Sequence, residues 1–498
     1  MSRCVSWLRP AALAGLLVLA GAPLRAQSSA DEQARRLLED GRQYWSKGQF
    51  KQALDNFNTI ASGFSNTDSV DDALLEIGRY YLEIEDNPAK AREYFGEVTK
   101  RYPQSDGAPG AYYYLGWLTM TRSSASAELD DALAQFDRLR TLYPRSDWVP
   151  RALYAAGLAH RKAGRLAEAV DFERRVSLEY PTSEAAPGAQ YQIGHCLALL
   201  GDPRQAMEEY QQIRNRFPES DWAGPALERI TALYRLYGGA APAFSLDSGY
   251  SVGSGDVLKD VRSLLMAPNR TLWIATGKAK SAIPFDANGK MGSSLPAEEP
   301  RTMSLTPKGE VVLAARSAVR IGPKDVKSFA VPQEKGVPEQ LEGITAAVVT
   351  QGGNILVADE KKNRVYRYDR QNQYLGMFPD AKERKIARMI LDGEGGIVCL
   401  DRDERTIRVY DESGRLLRAV GGKGTGLELR KPADVAVDPA RNLYVADEEA
   451  GILVFSPQGK LLTTIAGESV RRPRALAIDP AGALLVYDDK TERVVRFK

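Results

Sequence analysis

The sequence predicts a multidomain protein that is α-helical in its first half and all-β in its second half. Three observations indicate this: a helical pattern repeating about every 37 residues, a β pattern repeating about every 42, and a short Gly/Ala/Pro junction between them. The chain has 498 residues, of which 43% are hydrophobic, so it has room for two or three packed domains. Repeat arrays display extended surfaces, and the pattern therefore favours binding over catalysis.

Residues 1–26 have the composition of a secretory signal peptide. Arg3 and Arg9 precede an apolar run, 11–22, which is followed by small residues ending at Ala26. The run is shorter than the roughly 20 residues that a membrane-spanning helix needs. A buried N-terminal helix is the alternative. We expect cleavage to leave a periplasmic or secreted protein without a transmembrane segment.

Residues 27–238 form the predicted helical array, in which five aromatic residues mark breaks 37 to 41 residues apart. Four of these aromatics are followed by Pro-x-Ser. Proline cannot continue a helix, so each break ends one helix, and the serine is expected to cap the next. The five aromatic residues are Phe64, Tyr102, Tyr143, Tyr180 and Phe217.

Each helical unit also carries a glycine in its first helix and Ala-x-x-x-aromatic in its second, as in Gly78 with Ala91 and Phe95. This spacing places a small and a large residue on one buried face. The fourth unit departs from the pattern, because Glu173 follows Ala169 where the aromatic residue is expected.

These units resemble tetratricopeptide repeats, and the recurring Tyr-Pro-x-Ser is similar to the subgroup found in Gram-negative envelope proteins. The resemblance implies an α-superhelix with a concave groove that binds protein partners and a role in the cell envelope. Tyr113 and Trp117 are the candidate groove residues, since they belong to a run with more aromatic residues than one buried stripe needs. Packing in the core is the alternative role.

Residues 243–498, after a linker at 239–242, contain six segments of apolar strand, small turn, apolar strand and acidic end. A third and a fourth short strand complete each segment, which is the make-up of a propeller blade. The sequence Asp-Pro-x-x-x-Leu with an aliphatic strand and terminal Asp, as at 438–447, resembles the NHL repeat. That resemblance implies a six-bladed NHL-like β-propeller that binds partners.

The last blade stops at Phe497-Lys498 after three strands, which would leave an exposed edge in the ring. The segment Ala243–Leu246 lies directly before the first blade. We expect it to supply the missing outer strand.

Four arginines stand three or four residues before the end of an inner strand, where the six blades converge at one mouth of the central channel. They predict a basic ring for an anionic partner such as an acidic peptide, a carboxylated glycan or a phosphorylated lipid head group. A solvated loop is the alternative for each. The four are Arg262, Arg301, Arg388 and Arg474.

Little in the sequence indicates catalysis, a metal or a cofactor. Both histidines, His160 and His195, lie in the helical array and are expected to be structural. Asp359 and Asp401, at the ends of second strands, recur once per blade and are expected to hold turns. The helical part has a net charge of −6 and the β part of +5, which gives little attraction to nucleic acid.

The sequence thus predicts an exported, non-catalytic protein–protein interaction scaffold of the bacterial cell envelope. The alternatives are a propeller hydrolase or lyase with a recruiting helical domain, and a glycan-binding protein that takes peptidoglycan. The absence of histidine from the propeller weighs against the enzyme, because propeller lyases and lactonases commonly use one.

Overall fold

A computed structural model describes most of the chain and divides it into two compact units, Met1–Ala189 and Gln190–Lys498. The predicted signal peptide lies outside the described residues except at 21–26, where the first helix begins. None of the described helices is long and apolar enough to span a bilayer. The described ranges are 21–122, 126–239, 244–253, 255–333, 337–378, 384–422, 429–465 and 470–498.

Eleven α-helices occur among the described residues, and the first ten pair into the predicted helix-turn-helix units. They are α1 (Gly21–Ser46), α2 (Phe50–Gly63), α3 (Val70–Glu83), α4 (Pro88–Arg101), α5 (Ala108–Arg122), α6 (Ser126–Leu142), α7 (Val149–Lys162), α8 (Leu166–Glu179), α9 (Ala186–Leu200), α10 (Pro203–Arg216) and α11 (Ala223–Tyr237).

A glycine against an aromatic ring joins the two helices of a unit, as predicted. A Cβ added to Gly78 would lie 2.5 Å from Cε1 of Phe95, so only glycine allows this approach. Gly116 faces Phe136 and Gly194 faces Tyr210 in the same way. The second helix of each unit ends immediately before its aromatic break, which confirms those five helix ends.

The prediction that serines cap the following helices is wrong. Ser105 donates its hydroxyl hydrogen to the carbonyl of Tyr102, and Ser220 does the same to Phe217. Each of the four serines lies three residues before its helix begins, and the side chains of Ser105 and Ser220 close the preceding turn instead of reaching the first free N–H groups of the helix.

Twenty-five β-strands follow among the described residues, after a short 3-10 helix at Gly255–Leu258. They are β1 (Val261–Met266), β2 (Leu272–Thr276), β3 (Ser281–Phe285), β4 (Leu295–Pro296), β5 (Pro300–Leu305), β6 (Val311–Ala315), β7 (Ala318–Ile321), β8 (Asp325–Lys327), β9 (Ala330–Val331), β10 (Glu339–Gln340), β11 (Ile344–Val349), β12 (Ile355–Asp359), β13 (Arg364–Tyr368), β14 (Tyr374–Met377), β15 (Ile386–Leu391), β16 (Ile397–Asp401), β17 (Thr406–Tyr410), β18 (Leu416–Gly421), β19 (Pro432–Val437), β20 (Leu443–Asp447), β21 (Gly451–Phe455), β22 (Leu461–Ile465), β23 (Pro473–Ile478), β24 (Leu484–Asp488) and β25 (Arg493–Phe497).

These strands form a six-bladed β-propeller. Strands β1–β4, β5–β8, β11–β14, β15–β18 and β19–β22 make five antiparallel four-stranded blades, and β9 pairs with β10 in a small ribbon between blades two and three. Alternate strand residues pack in apolar layers between neighbouring blades, as in the cluster that joins blades four and five around Val409, Val435 and Phe455.

Blade six consists of β23–β25 and is completed by residues from before blade one, as predicted. Leu246 bridges Phe497 in antiparallel register, and Ser245 exchanges two backbone hydrogen bonds with Lys498, of 2.9 and 3.0 Å. The pairing ends at Asp247, whose carboxylate lies 2.9 Å from Nζ of Lys498. The two ends of the β region thus close the ring, and no outer edge is left on β25.

The second compact unit contains α10, α11 and most of α9 as well as the propeller. Leu236 of α11 is buried in the apolar cluster that includes Tyr444, Leu484 and Phe497 of blades five and six. Residues 240–242 of the linker predicted at 239–242 lie outside the described residues, so this boundary remains a prediction. Cys196 and Cys399 are buried thiols, and no disulfide joins them.

Candidate functional site

The inner strand of every blade has a register shift at its second residue. Between the first and third residues of β1, β5, β11, β15, β19 and β23, the pairing with the neighbouring strand skips one position. Such a bulge leaves one residue unpaired and re-aims its side chain. The six residues at this position are Arg262, Arg301, Thr345, Ala387, Ala433 and Arg474.

Three of the predicted ring arginines occupy this bulge and line one pocket at the mouth of the propeller. Blades six, one and two are neighbours in the ring, so Arg474, Arg262 and Arg301 lie side by side. The pocket has a volume of about 210 Å³, and Lys385 and Arg402 of blade four also line it. Two carboxylates, from Glu360 and Asp403, and two threonines, Thr302 and Thr345, complete its polar lining.

Two of the three bulge arginines, Arg301 and Arg474, are only loosely engaged by nearby carboxylates. Nη2 of Arg301 lies 3.6 Å from both Glu299 and Glu360, and Nη1 of Arg474 lies 3.4 Å from Asp489. Arg262 has a closer partner, with Nε 2.7 Å from Asp260. Exposed pairs of this kind contribute only about 0.2–1 kcal/mol each, so an incoming anion can replace them at little cost.

Arg388, the fourth predicted ring residue, does not belong to the mouth, and its placement there was wrong. It is the third residue of its strand, one position beyond the bulge, and is only 3% exposed. A shift of one residue along a strand turns the side chain to the other face. Nε of Arg388 lies 3.0 Å from Asp434 of blade five, and its Nη1 donates to the Ser263 hydroxyl of blade one at 2.7 Å.

Arg388 therefore ties three blades together inside the channel. Asp434 also accepts a hydrogen bond from the backbone N–H of Leu476 in blade six, at 2.9 Å. Burial raises the pKa of Asp434, while the adjacent Arg388 opposes that rise by favouring the carboxylate. The pair is structural.

Arg402 is the mouth residue that sequence reasoning missed. It directly follows Asp401 at the end of β16, where the equivalent residues of blades three, five and six are acidic: Glu360, Glu448 and Asp489. That reversal of charge was the available signal. Arg402 is exposed at the rim. Partial desolvation of its guanidinium by the neighbouring protein lowers its pKa, and repulsion from Arg474 lowers that pKa further.

The aspartates at the ends of second strands hold turns, as expected. Asp359 accepts hydrogen bonds from the N–H groups of Gly343 and Lys362, both at 2.9 Å. Asp447 accepts four such bonds from backbone N–H groups on both sides of its strand end. Their oxygens are thus engaged by the backbone of the blade, which accounts for their repetition.

The propeller face opposite the mouth contacts the last helices within the same unit. Arg229 of α11 is 5% exposed, and its Nη2 donates to Glu394 in the turn after β15 at 2.6 Å. Its Nη1 lies 2.6 Å from Nδ1 of His195, which gives that histidine a structural role. The amide of Gln458 donates to the carbonyl of Leu199 in α9 at 2.7 Å.

In the first compact unit, the structure brings Tyr113 and Trp117 of α5 together. Their rings stack 5.9 Å apart, and Tyr113 also contacts Trp148 at 5.2 Å between ring centres. Both candidate groove residues are half-buried against the core around Phe136, so the packing alternative accounts for part of each side chain. Burial raises the pKa of Tyr113 to about 12, which keeps its hydroxyl protonated.

Two further clusters in this unit are accounted for by local contacts. His160 stacks on Phe172 at 4.9 Å, and burial lowers its pKa. Asp71, Asp72 and Asp106 lie close enough to share an ion. Asp71, however, accepts the N–H of Gly107 at 2.9 Å, and Asp72 pairs with Arg42 at 3.0 Å.

A comparison with protein families matches the tetratricopeptide repeat at residues 72–105 and 189–220. The helical region contains tetratricopeptide repeats. The chain therefore combines tetratricopeptide repeats with a six-bladed β-propeller. A comparison with curated proteins found no match.

Solved structures similar to the β-propeller include a streptogramin B lyase, at 10% identity and a TM-score of 0.39, over 51% of this chain and 97% of the lyase. Virginiamycin B lyase from Staphylococcus aureus, in a catalytically inactive form with quinupristin, is 15% identical with a TM-score of 0.39, over 51% and 85% of the two chains. A putative gluconolactonase is 13% identical with a TM-score of 0.40, over 50% and 92%. At these values the likeness carries no argument about activity.

Proposed function

We propose that this protein is an exported, non-catalytic scaffold of the bacterial cell envelope. In this proposal the tetratricopeptide repeats bind one protein partner and the mouth of the propeller binds another. The observation that carries the proposal is the division of the propeller into two faces. Helices α9 and α11 contact one face, and the other presents a pocket lined by charged side chains from several blades.

The side chains at the mouth support binding more than bond-breaking chemistry. The aspartates at the strand ends are hydrogen-bonded to the backbone, and the remaining polar groups of the pocket are mainly arginine and lysine. Guanidinium groups stay charged at neutral pH and serve poorly as general bases, but they bind carboxylates in a defined geometry. A rim lined by charged side chains from several blades suits recognition of a partner surface.

The repeats supply the second surface of the proposed scaffold. The stacked rings of Tyr113 and Trp117 are half-buried, so each side chain packs against the core with part of its surface and leaves part exposed. Aromatic residues of this type are enriched where proteins bind one another, because they bury a large area at a small cost in conformational entropy.

Site-specific photo-crosslinking in the full chain tests this proposal. A benzophenone amino acid replaces Trp117 in one variant and Lys385, beside the pocket, in another. Matched controls carry the same group in place of Leu178, which is 79% exposed on α8, and of Arg415, on the far side of blade four. We expect the first two variants to capture envelope proteins and the two controls to capture few or none.

Equal capture from all four positions would contradict the two proposed surfaces. Capture of cytoplasmic proteins alone would contradict export. Mass spectrometry of the protein purified from cells adds an independent check, because removal of a signal peptide at the predicted site leaves Gln27 as the first residue.

A further inference from the structure

The mouth pocket has more positive than negative charge, and one of its cations has no ionic partner. Five cationic and two anionic side chains line it. Lys385 pairs with Asp403 at 3.0 Å, and each bulge arginine has a carboxylate within 3.6 Å. Arg402, by contrast, forms no ion pair with any described residue and donates a single hydrogen bond, to the carbonyl of Ala433 at 2.8 Å.

Arg402 therefore has N–H donors to spare. A guanidinium carries five N–H groups in a planar fork, and two of them match the two oxygens of one carboxylate. A carboxylate that replaces the water on these N–H groups gains a charge-assisted hydrogen bond. Arg474, on the neighbouring side of the pocket, adds to the positive field.

The size of the pocket favours part of a larger partner over a whole small molecule. Its volume of about 210 Å³ is below the roughly 300–1,000 Å³ of pockets that enclose drug-sized ligands. A volume of this size accepts one or two side chains. The rest of the ligand would then lie along the rim, where the bulges of neighbouring blades present further arginines.

The two carboxylates that line the pocket favour some anionic ligands over others. Glu360 and Asp403 repel a ligand that is anionic on every side, such as a phosphate. They can accept hydrogen bonds from N–H groups, which a peptide carries beside its acidic side chains. A ligand with carboxylates and amide N–H groups close together matches both signs of charge in the lining.

We propose that the mouth pocket anchors an acidic peptide segment of a protein partner, with a side-chain carboxylate held by Arg402. This inference rests on the proposed scaffold function and adds the chemistry of the partner. The bulge arginines Arg262, Arg301 and Arg474 draw the acidic segment toward the pocket, and Arg402 holds one carboxylate inside it.

Fluorescence anisotropy with the full chain tests the inference. The probe is a fluorescein-labelled peptide of consecutive glutamates flanked by glycine and serine, with both ends blocked. Its counterparts are the same peptide with glutamines, and a glutamine peptide with a free C-terminal carboxylate. We expect the glutamate peptide alone to bind, and Arg402→Gln to weaken its binding by about tenfold to a hundredfold, the loss of one hydrogen bond to a charged group.

The matched control is Arg415→Gln, which removes another exposed arginine, from the opposite side of the same blade. We expect it to bind like the wild type. Circular dichroism confirms that each variant is folded. A wild-type protein that binds no glutamate peptide would overturn the inference, as would an Arg402→Gln variant that binds normally or an Arg415→Gln variant that loses as much affinity.

Competition separates the possible sources of the anion. Inorganic phosphate that displaces the peptide at lower concentration than free glutamate would contradict a carboxylate site. Preferential binding of the peptide with the free C-terminus would contradict a side-chain anchor. If these tests fail while crosslinking from the position of Trp117 still captures partners, the scaffold stands and only the acidic-peptide site is lost.

Discussion

The two repeat regions are held together by different contacts. In the helices, a glycine lies against an aromatic ring, as in Gly78 with Phe95, and no hydrogen bond joins the two residues. In the propeller, carboxylates accept backbone N–H groups at the strand ends, as Asp447 does, and a buried ion pair ties inner strands together. The difference follows from the backbone, because a helix satisfies its own N–H groups whereas a blade leaves some unpaired where strands end.

Each region also has units that depart from its rule. The fourth helical repeat has Glu173 in place of the aromatic residue, fully buried against Gly157. Blades one and two end their second strands with Thr276 and Ala315, which offer no carboxylate to the turn. These exceptions make it possible to test what the repeated contacts contribute.

The largest effect is expected from breaking the ion pair at the propeller centre. Arg388→Met leaves Asp434 as a buried charge without its partner, which should cost about 3–5 kcal/mol of unfolding free energy. Calorimetry measures the loss. Asp434→Asn in addition should recover part of it, because no lone charge then remains. An Arg388→Met single variant as stable as the wild type would show that the Arg388–Asp434 pair does not stabilise the packing of the inner strands.

A smaller loss is expected when blade five is made like blade two. Asp447→Ala removes the acceptor of four backbone hydrogen bonds, and loss of hydrogen bonds to a charged group should cost about 1.5–3 kcal/mol. Chemical unfolding followed by far-ultraviolet circular dichroism measures the difference. The control is Asp403→Ala, which removes an exposed aspartate. Equal effects of the two changes would refute a special role for the strand-end carboxylate.

Restoring the aromatic residue in the fourth repeat should stabilise the protein. Glu173→Phe replaces a buried acid that has no hydrogen-bond partner among the described side chains, so we expect a gain of about 1–3 kcal/mol. Gly157 leaves space for a ring, as Gly78 does for Phe95. Glu168→Phe, on the exposed side of the same helix, should give no gain when measured by the same unfolding assay.

The smallest effect is a dependence of stability on pH. Burial raises the pKa of Glu173 well above that of a free glutamate, which is about 4.3. Between the two pKa values the folded state binds one proton more than the unfolded state. Stability should therefore be highest below the unfolded pKa, fall by at most about 1.4 kcal/mol per pH unit, and level off above the folded pKa.

Comparison with Glu173→Gln isolates this dependence, because glutamine does not titrate. Urea unfolding at a series of pH values should show a shallower slope for this variant across the same window. Glu168→Gln should keep the slope of the wild type. An identical slope in all three proteins would mean that Glu173 does not remain protonated in the folded state.

Much of the architecture was predictable because it depends on local chemistry repeated at a fixed spacing. Proline after an aromatic residue ends a helix wherever it occurs, and Gly78 with Phe95 pairs two helices that are neighbours in the chain. The closing strand at Ser245–Leu246 was predictable for a related reason. An incomplete last blade requires a partner, and the segment before blade one was available.

The candidate site was less predictable because it depends on register and on contacts between distant residues. Arg388 stands one residue beyond the position of Arg262, and that single step turns it from the mouth into the channel. Arg402 joins the pocket only because blade four lies across the ring from Arg262. The one-residue offset of Arg388 is visible in the sequence, but neither its consequence nor the neighbours of Arg402 follow from spacing along the chain.

The sequence alone determined the two repeat types, their order, the helix ends and the need for a closing strand, because each follows from residues close together or from counting strands. Only the tertiary structure decided which arginines face the pocket and which one locks the channel. It also decided that Arg229 would bind Glu394, 165 residues away. These outcomes depend on how strands and helices are placed in space, and a one-residue shift in register exchanges a surface side chain for a buried one.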